Sequence, residues 1–474
     1  MSNIRFGTDG WRAVIADQFT MENFRVVIQA IACYTFEIGM QDQPILVGHD
    51  TRFLGRRFAE EAAKVLAANG LSTYLVNEAV PTPAVAFGVK HFAASGAVMI
   101  TASHNPPEYN GVKYIPYYGG PATPAITARL EDWISRIAVS REVRTCSLRD
   151  AEEQKRVQLM VLRPHYEAHL RRMVRLDVLN GASLSVVVDA MHGSGMGYVS
   201  GLLREAGVLA VGIREYPDPA FGGGLPDPTD RHLSSLKEEV VRRQAAMGLA
   251  NDGDADRFGL VDETGSFVPP NDALALLTYH LVKNRKLAGR VVRTVATTHL
   301  LDRLAAAYGL EVVETPIGFK YIGAHIREGN VLIGGEESGG ASILGHIPEK
   351  DGVLMNLLLA ELCAWEGKPI GRILRDVQDR FGQMFHTRLD IPLGQKTARL
   401  EQLIASVPRQ IGPFPVVEKK DLDGVKLLLA GGHWVLVRPL RTEPLVRVYC
   451  EAASRQTLEQ LKEAIHDWLS EVEV

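Results

Sequence analysis

The chain has 474 residues, 46 % of them apolar and 23 % charged, with 52 Lys and Arg against 56 Asp and Glu for a formal net charge of −4. At roughly 150 residues per domain this length suggests about three domains. The near balance of charge excludes a protein that clings to nucleic acid or anionic membrane through bulk charge, so any anion must be met by locally clustered cations. The four cysteines, Cys33, Cys146, Cys363 and Cys450, are far apart with no CxxC pair, which excludes a disulfide framework and a zinc ribbon. The start, MSNIRFGTDG, has no apolar core of a signal peptide. The most apolar stretch, 353–365, holds Asn356 and Glu361 and is too short to span a bilayer. A cytoplasmic protein is expected.

In chain order, β-branched runs alternate with longer amphipathic ones, the rhythm of an α/β protein. Arg5 and Arg12 come first, in RFGTDGWR. A strand at 45–47 leads into HDTRFLGRR, with Arg52, Arg56 and Arg57, and then a helix that ends before Gly70 and resumes as the strand of NGLSTYLV. AVMI follows and opens into TASHNP (101–106). The same unit recurs from 186–188, through Gly207, to GLA and NDGDADR (251–257). It recurs again from 291–295, through Gly309, to VLI and GGEESGG (334–340). Glycine just past a helix is the residue expected where φ must be positive. Ligands of open α/β sheets collect beyond the carboxyl ends of strands, so three repeats offer three loops to one cleft. After a helix near 370–380 come the strand-like HTRLDIPL, LEQLIASV, VKLLLAG, WVLVRPL and VRVYCEA and a final helix from Ser454. That separate α+β module raises the expected domain count to four.

Each loop has its own chemistry. Asp252, Asp254 and Asp256 alternate, which in extended backbone turns three carboxylates to one side. Such a hard-oxygen cluster suits Mg²⁺. An EF-hand is excluded because Arg257 occupies the sixth position, where glycine is needed. Ser103, beside His104 and upstream of Lys113, could be a nucleophile or a phosphoryl carrier; the GxSxG elbow of a hydrolase is absent. Arg438, Arg441 and Arg447 cluster around Thr442, a mixture suited to phosphate. Glu336 and Glu337 with the Ser338 hydroxyl offer acceptors of a kind that suits sugar hydroxyls. HGSGMG (192–197) misplaces the third glycine of a dinucleotide loop. His165 and His169 lack the HExxH order, so they read as a surface helix rather than a zinc site.

Taken together, FGTDGWR, TASHNP, DGDADR, GEESGG and the R-x-x-x-TEP-x-x-R loop resemble, in order and spacing, the α-D-phosphohexomutase family. The resemblance covers essentially the whole chain and implies three tandem related α/β/α domains followed by a smaller α+β C-terminal domain. The limits expected are 1–150 for the phosphoserine domain, 151–258 for the metal-loop domain, 259–383 for the sugar-loop domain and 384–474 for the phosphate-binding domain.

The resemblance also implies a mechanism. Ser103 would carry a phosphoryl group to a hexose monophosphate, giving a hexose 1,6-bisphosphate that returns its other phosphoryl group. Mg²⁺ would be held by Asp252, Asp254, Asp256 and the serine phosphate. His104, Lys113 and Arg12 would give acid/base and electrostatic help. Arg257, Lys320, Glu336, Ser338 and Lys350 would contact the sugar phosphate. Arg438, Arg441, Thr442 and Arg447 would hold the distal phosphate. GEES, Gly340 and PEKDG (348–352) are similar to glucose-type members, with glucose 1,6-bisphosphate as intermediate and activator. Phosphomannomutase or dual activity is the alternative, and a Mg²⁺-dependent sugar phosphatase or a non-catalytic sugar-phosphate-binding relative comes lower. Leu440 and Arg441 depart from the family's usual Ser and Gly. No nucleic-acid or membrane partner is expected, and the chain would be a monomer or homodimer.

Overall fold

The computed structural model describes residues 4–7, 10–392, 408–439 and 445–470. Among these, strands form four sheets. In the first, Ile45–His49 lies between parallel partners Thr73–Ala79 and Gly96–Ile100, and Tyr109–Pro116 runs antiparallel outside Gly96–Ile100. The second repeats this arrangement: Ser185–Asp189 lies between Leu209–Ile213 and Met247–Asn251, with Phe258–Asp262 antiparallel outside. In the third, Arg290–Thr294 lies between Val312–Thr315 and Val331–Gly335, with Ala341–Ile343 antiparallel outside. The chain is therefore three α/β/α units of one topology. Gly70, Gly207 and Gly309, just past the helix that follows the first of the shared parallel strands in each unit, all have positive φ (+87°, +80° and +69°), as their place past a helix end requires.

In every unit the functional loop joins the third strand to its antiparallel neighbour. This common position brings TASHNP, NDGDADR and GGEESGG together. One apolar core runs from Leu46 to Met384 through all three units. Its pin is the helix Gly352–Glu366, apolar on nearly every side, as a fully buried helix must be. It packs on Leu176–Asn180 and Tyr198–Glu205 of the second unit and on Pro270–Tyr279 of the third. No helix among the described residues is long and apolar enough to cross a membrane.

The fourth sheet is antiparallel throughout, running from Phe385–Pro392 and Leu445–Ala452 to Gln410–Ile411. The helix Arg455–Ser470 closes over its own apolar core. The strand-like LEQLIASV lies outside the described residues. Two expected limits need moving. Val157–Met160 adds a parallel edge strand to the first sheet, beyond residue 150. Phe258–Asp262 and Phe267–Val268 complete the second sheet, beyond residue 258. Hydrophobic periodicity locates strands but does not say which sheet an edge strand joins.

The third and fourth units meet through buried and half-buried polar groups. Ile317 N donates to Asp423 Oδ2 (2.9 Å), Lys426 Nζ reaches Glu314 Oε1 (2.7 Å), and Glu451 accepts from His299 N and Trp434 Nε1. Burial, reinforced by the Glu451 carboxylate, pushes the nearby Asp272 carboxyl up to about 7. A carboxyl raised on folding contributes most below its ordinary value, and that contribution is lost as pH rises through the folded value. The melting temperature of Asp272→Asn, relative to wild type, is therefore expected to rise between pH 5 and pH 8. Parallel profiles would show that Asp272 does not titrate in that window.

Candidate active site

Ser103 sits at the turn after Gly96–Ile100 with φ +52°, a left-handed conformation that a serine adopts only when its surroundings hold it there. Thr101 Oγ1 accepts its N–H (2.8 Å), and Arg52 Nη2 donates to its carbonyl (2.7 Å). The hydroxyl is thereby aimed across the domain junction, where it donates to Asp252 Oδ2 at 2.9 Å. His104 Nδ1 lies 3.3 Å from the same Oγ. Burial, then the charges of Arg257 and Arg12, pushes the His104 imidazole down to about 2, so it is neutral.

Asp252, Asp254 and Asp256 are all buried, with one carboxylate oxygen from each within 4.8 Å of the others. The convergence does not come from extended backbone, as the alternation suggested. The loop is a turn, with Ala255 at φ +56°, and the turn folds the three side chains inward. Gly193 packs on this turn so closely that a Cβ there would lie 2.8 Å from the carbonyls of Asp252 and Gly253. The HGSGMG stretch is therefore a backing for the acidic loop, and Ser194 N donates to Gly253 O.

Three like charges this close need cations. Lys113 Nζ donates to Asp254 Oδ2 (2.6 Å) and Asp256 Oδ2 (2.8 Å), and Lys350 Nζ lies 3.3 Å from Asp256 Oδ2. Against burial, which acts the other way, Lys113 and Lys350 hold the Asp256 carboxyl well below the usual range. Asp252 has no lysine beside it, and burial, then Asp254 and Asp256, pushes its carboxyl well above that range. Asp254 Oδ1 and Asp256 Oδ1 are buried without hydrogen-bond partners. Inward-facing, unpartnered carboxylate oxygens fit a hard divalent cation such as Mg²⁺.

The sugar-loop candidates join the same cleft through backbone. Phe258 N donates to Gly339 O, and Arg257 bridges to Gly340. Glu336 is buried, and Ser338 Oγ lies 3.5 Å from its Oε2. A Cβ on Gly340 would lie 2.4 Å from Lys350 Cδ, so Gly340 and Lys350 are one packing solution. Arg257 N–H is accepted by Asp252 Oδ1 (2.9 Å). Arg12 Nη1 donates to Asn105 Oδ1 (2.8 Å) in the serine loop.

The remaining candidates among the described residues lie on elements other than the three loops. Lys320 opens the helix Phe319–Glu328, its Nζ 5.2 Å from the Tyr321 ring. Arg438 and Arg447 are paired across two strands of the fourth sheet, bonding through Nε to Asp423 and Asp390. Arg441 and Thr442, like Thr8 and Asp9 of the first motif, lie outside the described residues.

Several residues at the site carried no sequence signal. Thr82 donates from Oγ1 to Asp254 Oδ2 (2.6 Å) and from N to Asp254 O (2.9 Å), fastening the acidic loop to the first unit. Asp50 accepts from Thr101 Oγ1 (2.5 Å). His169, expected on a surface helix, is half-buried, with its Nε2 2.9 Å from His346 Nδ1. His346 Nε2 in turn lies 2.8 Å from Asp351 Oδ2. Asp351 caps the central helix by accepting from Leu354 N.

Comparison with known proteins accords with this architecture. Models of the phosphoglucomutase/phosphomannomutase α/β/α domains I, II and III match residues 3–140, 164–265 and 269–381, and that of the C-terminal domain matches 394–467. A phosphoglucomutase/phosphomannomutase of Thermococcus kodakarensis is 30 % identical over 456 residues, 95 % of each chain. A Pyrococcus abyssi protein assigned as a phosphoglucosamine mutase is 31 % identical, covering 97 % of this chain and 96 % of that one. A crystal structure of a Thermus thermophilus protein assigned as a phosphomannomutase superposes with a TM-score of 0.86 at 34 % identity, over 99 % of both chains. The chain belongs to the phosphoglucomutase/phosphomannomutase family, the α-D-phosphohexomutases.

Proposed function

We propose that the protein is a phosphoglucomutase that interconverts glucose 1-phosphate and glucose 6-phosphate through a phosphorylated Ser103 and a glucose 1,6-bisphosphate intermediate. The observation that carries this reading is the 2.9 Å contact between Ser103 Oγ and Asp252 Oδ2 of the buried triad. It supports the reading because a hydroxyl beside a carboxylate cluster that could hold a cation is a suitable phosphoryl carrier.

In the forward direction the phosphoserine transfers its phosphoryl group to O6 of glucose 1-phosphate. The P–O bond to Ser103 breaks, the O6 proton leaves, and Ser103 Oγ recovers a proton. The bisphosphate turns over, its P–O1 bond breaks as the phosphoryl group returns to Ser103 Oγ, the Oγ proton leaves, and O1 takes up a proton as glucose 6-phosphate is released. Mg²⁺ held by Asp252, Asp254 and Asp256, when bound, supplies charge neutralisation to the group in transfer. Lys113, beside Asp254 and Asp256, is the candidate proton carrier, with the neutral His104 as a hydrogen-bond partner. Arg12 and Arg257 border the same space as phosphate and sugar ligands. Glu336 and Ser338 bind sugar hydroxyls, with Lys320 and Lys350 as further contacts. Arg438 and Arg447, with Arg441 and Thr442, hold the phosphate that is not reacting.

The glucose assignment is supported by Glu337, Gly340 and the Lys350 stretch. It is tested by assaying glucose 1-phosphate with catalytic glucose 1,6-bisphosphate and Mg²⁺, in parallel with mannose 1-phosphate and glucosamine 1-phosphate. The highest kcat/KM is expected for glucose 1-phosphate. A higher value for either other sugar overturns the sugar assignment. Release of inorganic phosphate without isomerisation of any of the three overturns the mutase reading.

A further inference from the structure

Arg52 is grouped by sequence with the cations available to phosphate, yet its side chain is wholly buried. Its Nη1 donates to Pro106 O (2.8 Å) and Tyr109 O (3.0 Å). Its Nη2 donates to Ser103 O (2.7 Å) and Asn105 O (2.6 Å). Nε lies 3.4 Å from Asp50 Oδ2, and the guanidinium lies over the Phe221 ring of the second unit, 4.9 Å from its centroid. A guanidinium has five N–H groups. Here four meet backbone carbonyls of the serine loop, while the fifth, on Nε, makes no hydrogen bond and only pairs by charge with the Asp50 carboxylate.

The carboxylate closes a ring. Asp50 Oδ1 accepts from Arg52 N (2.9 Å), Asp50 Oδ2 accepts from Thr101 Oγ1 (2.5 Å), and Thr101 Oγ1 accepts from Ser103 N (2.8 Å). Ser103, at φ +52°, is thus held at both its N–H and its C=O. The acidic loop leans on the same place, since a Cβ on Gly253 would lie 2.6 Å from Ser103 O. If the arginine were absent, four carbonyls would lose their donor and the strained turn would lose its main constraint.

We propose that Arg52 is a positioning residue for the phosphoryl transfers and not a phosphate ligand: its guanidinium fixes the 103–109 backbone so that Ser103 Oγ stays aimed at the acidic loop. The proposal rests on the reading of Ser103 as phosphoryl carrier. A lysine, as one point charge, cannot bond four carbonyls in fixed directions.

The full-length Arg52→Lys enzyme is expected to lose about 100-fold or more in kcat, because misplacing a reacting group by about 1 Å costs that much. Its KM for glucose 1-phosphate should stay within about 3-fold, since uniform substrate binding is untouched. Phosphorylation of Ser103 by glucose 1,6-bisphosphate, followed by mass spectrometry, should slow in proportion to kcat. In Arg52→Ala, millimolar guanidinium should restore part of kcat and ammonium should not. A raised KM with unchanged kcat would make Arg52 a phosphate ligand and overturn the proposal, as would wild-type kinetics.

If neither Arg52 variant folds, Thr101→Val breaks the same ring at constant volume and should show the same split between kcat and KM. A wild-type kcat in Thr101→Val then overturns the proposal. Full activity in Ser103→Ala would instead remove the phosphoserine reading beneath it. An inactive Ser103→Ala beside a normal Arg52→Lys removes only the role given to Arg52.

Discussion

Ser103→Ala is expected to lower turnover of glucose 1-phosphate by about 10⁴-fold or more, the scale seen when a covalent nucleophile is removed. It should also abolish the mass increase of one phosphoryl group on incubation with glucose 1,6-bisphosphate. Stability should change little. Alanine meets the same backbone strain as serine at φ +52°, and the turn keeps its bonds from Thr101 and Arg52. What is lost is the donor to Asp252 Oδ2, and Asp252 still accepts from Arg257 N. A melting temperature within a few degrees of wild type, together with lost turnover, would place the effect in the chemistry. Retained turnover would exclude Ser103 as phosphoryl carrier.

The sequence is most readable where one residue type implies one local chemistry. Glycine past a helix implies positive φ, and Gly70, Gly207 and Gly309 mark the three units for that reason. Three aspartates in five residues imply a cation, and the triad is buried and convergent. What stays hidden is the support brought from far along the chain. Thr82 is an ordinary threonine opening a helix, yet it fastens a carboxylate 172 residues away. Arg52 reads as one more surface cation, because no local pattern distinguishes a guanidinium facing phosphate from one enclosed by carbonyls. The alternation of the aspartates had the right result for the wrong geometry: a turn gathers them, and Ala255 takes the left-handed conformation that makes the turn. Edge strands fail similarly, since the pairing of Val157–Met160 with Thr73–Ala79 joins two segments across two intervening strands and three helices.

Asp252→Asn is expected to change activity and stability in opposite directions. In the metal-free protein Lys113 and Lys350 serve Asp254 and Asp256, leaving Asp252 between two like charges with only the Arg257 charge and N–H set against burial and those charges. Holding the Asp252 carboxylate charged beside Asp254 and Asp256 in a buried site is therefore costly, which is why its carboxyl is pushed upward. Asparagine has nearly the same shape. Its Oδ1 can accept from Arg257 N and its Nδ2 can donate to Ser103 Oγ, so the neutral variant keeps both bonds and sheds the repulsion. Without Mg²⁺ the variant should melt a few degrees above wild type, as expected for a gain of about 1–2 kcal/mol. With Mg²⁺ the order should reverse, because a ligand stabilises only the form that binds it. Turnover should fall by about 10³-fold, the scale of losing one electrostatic stabiliser of the transition state. Melting curves with EDTA and with millimolar Mg²⁺ separate the two effects. A metal-free variant less stable than wild type would show that the triad is held by its lysines and not strained by its own charge.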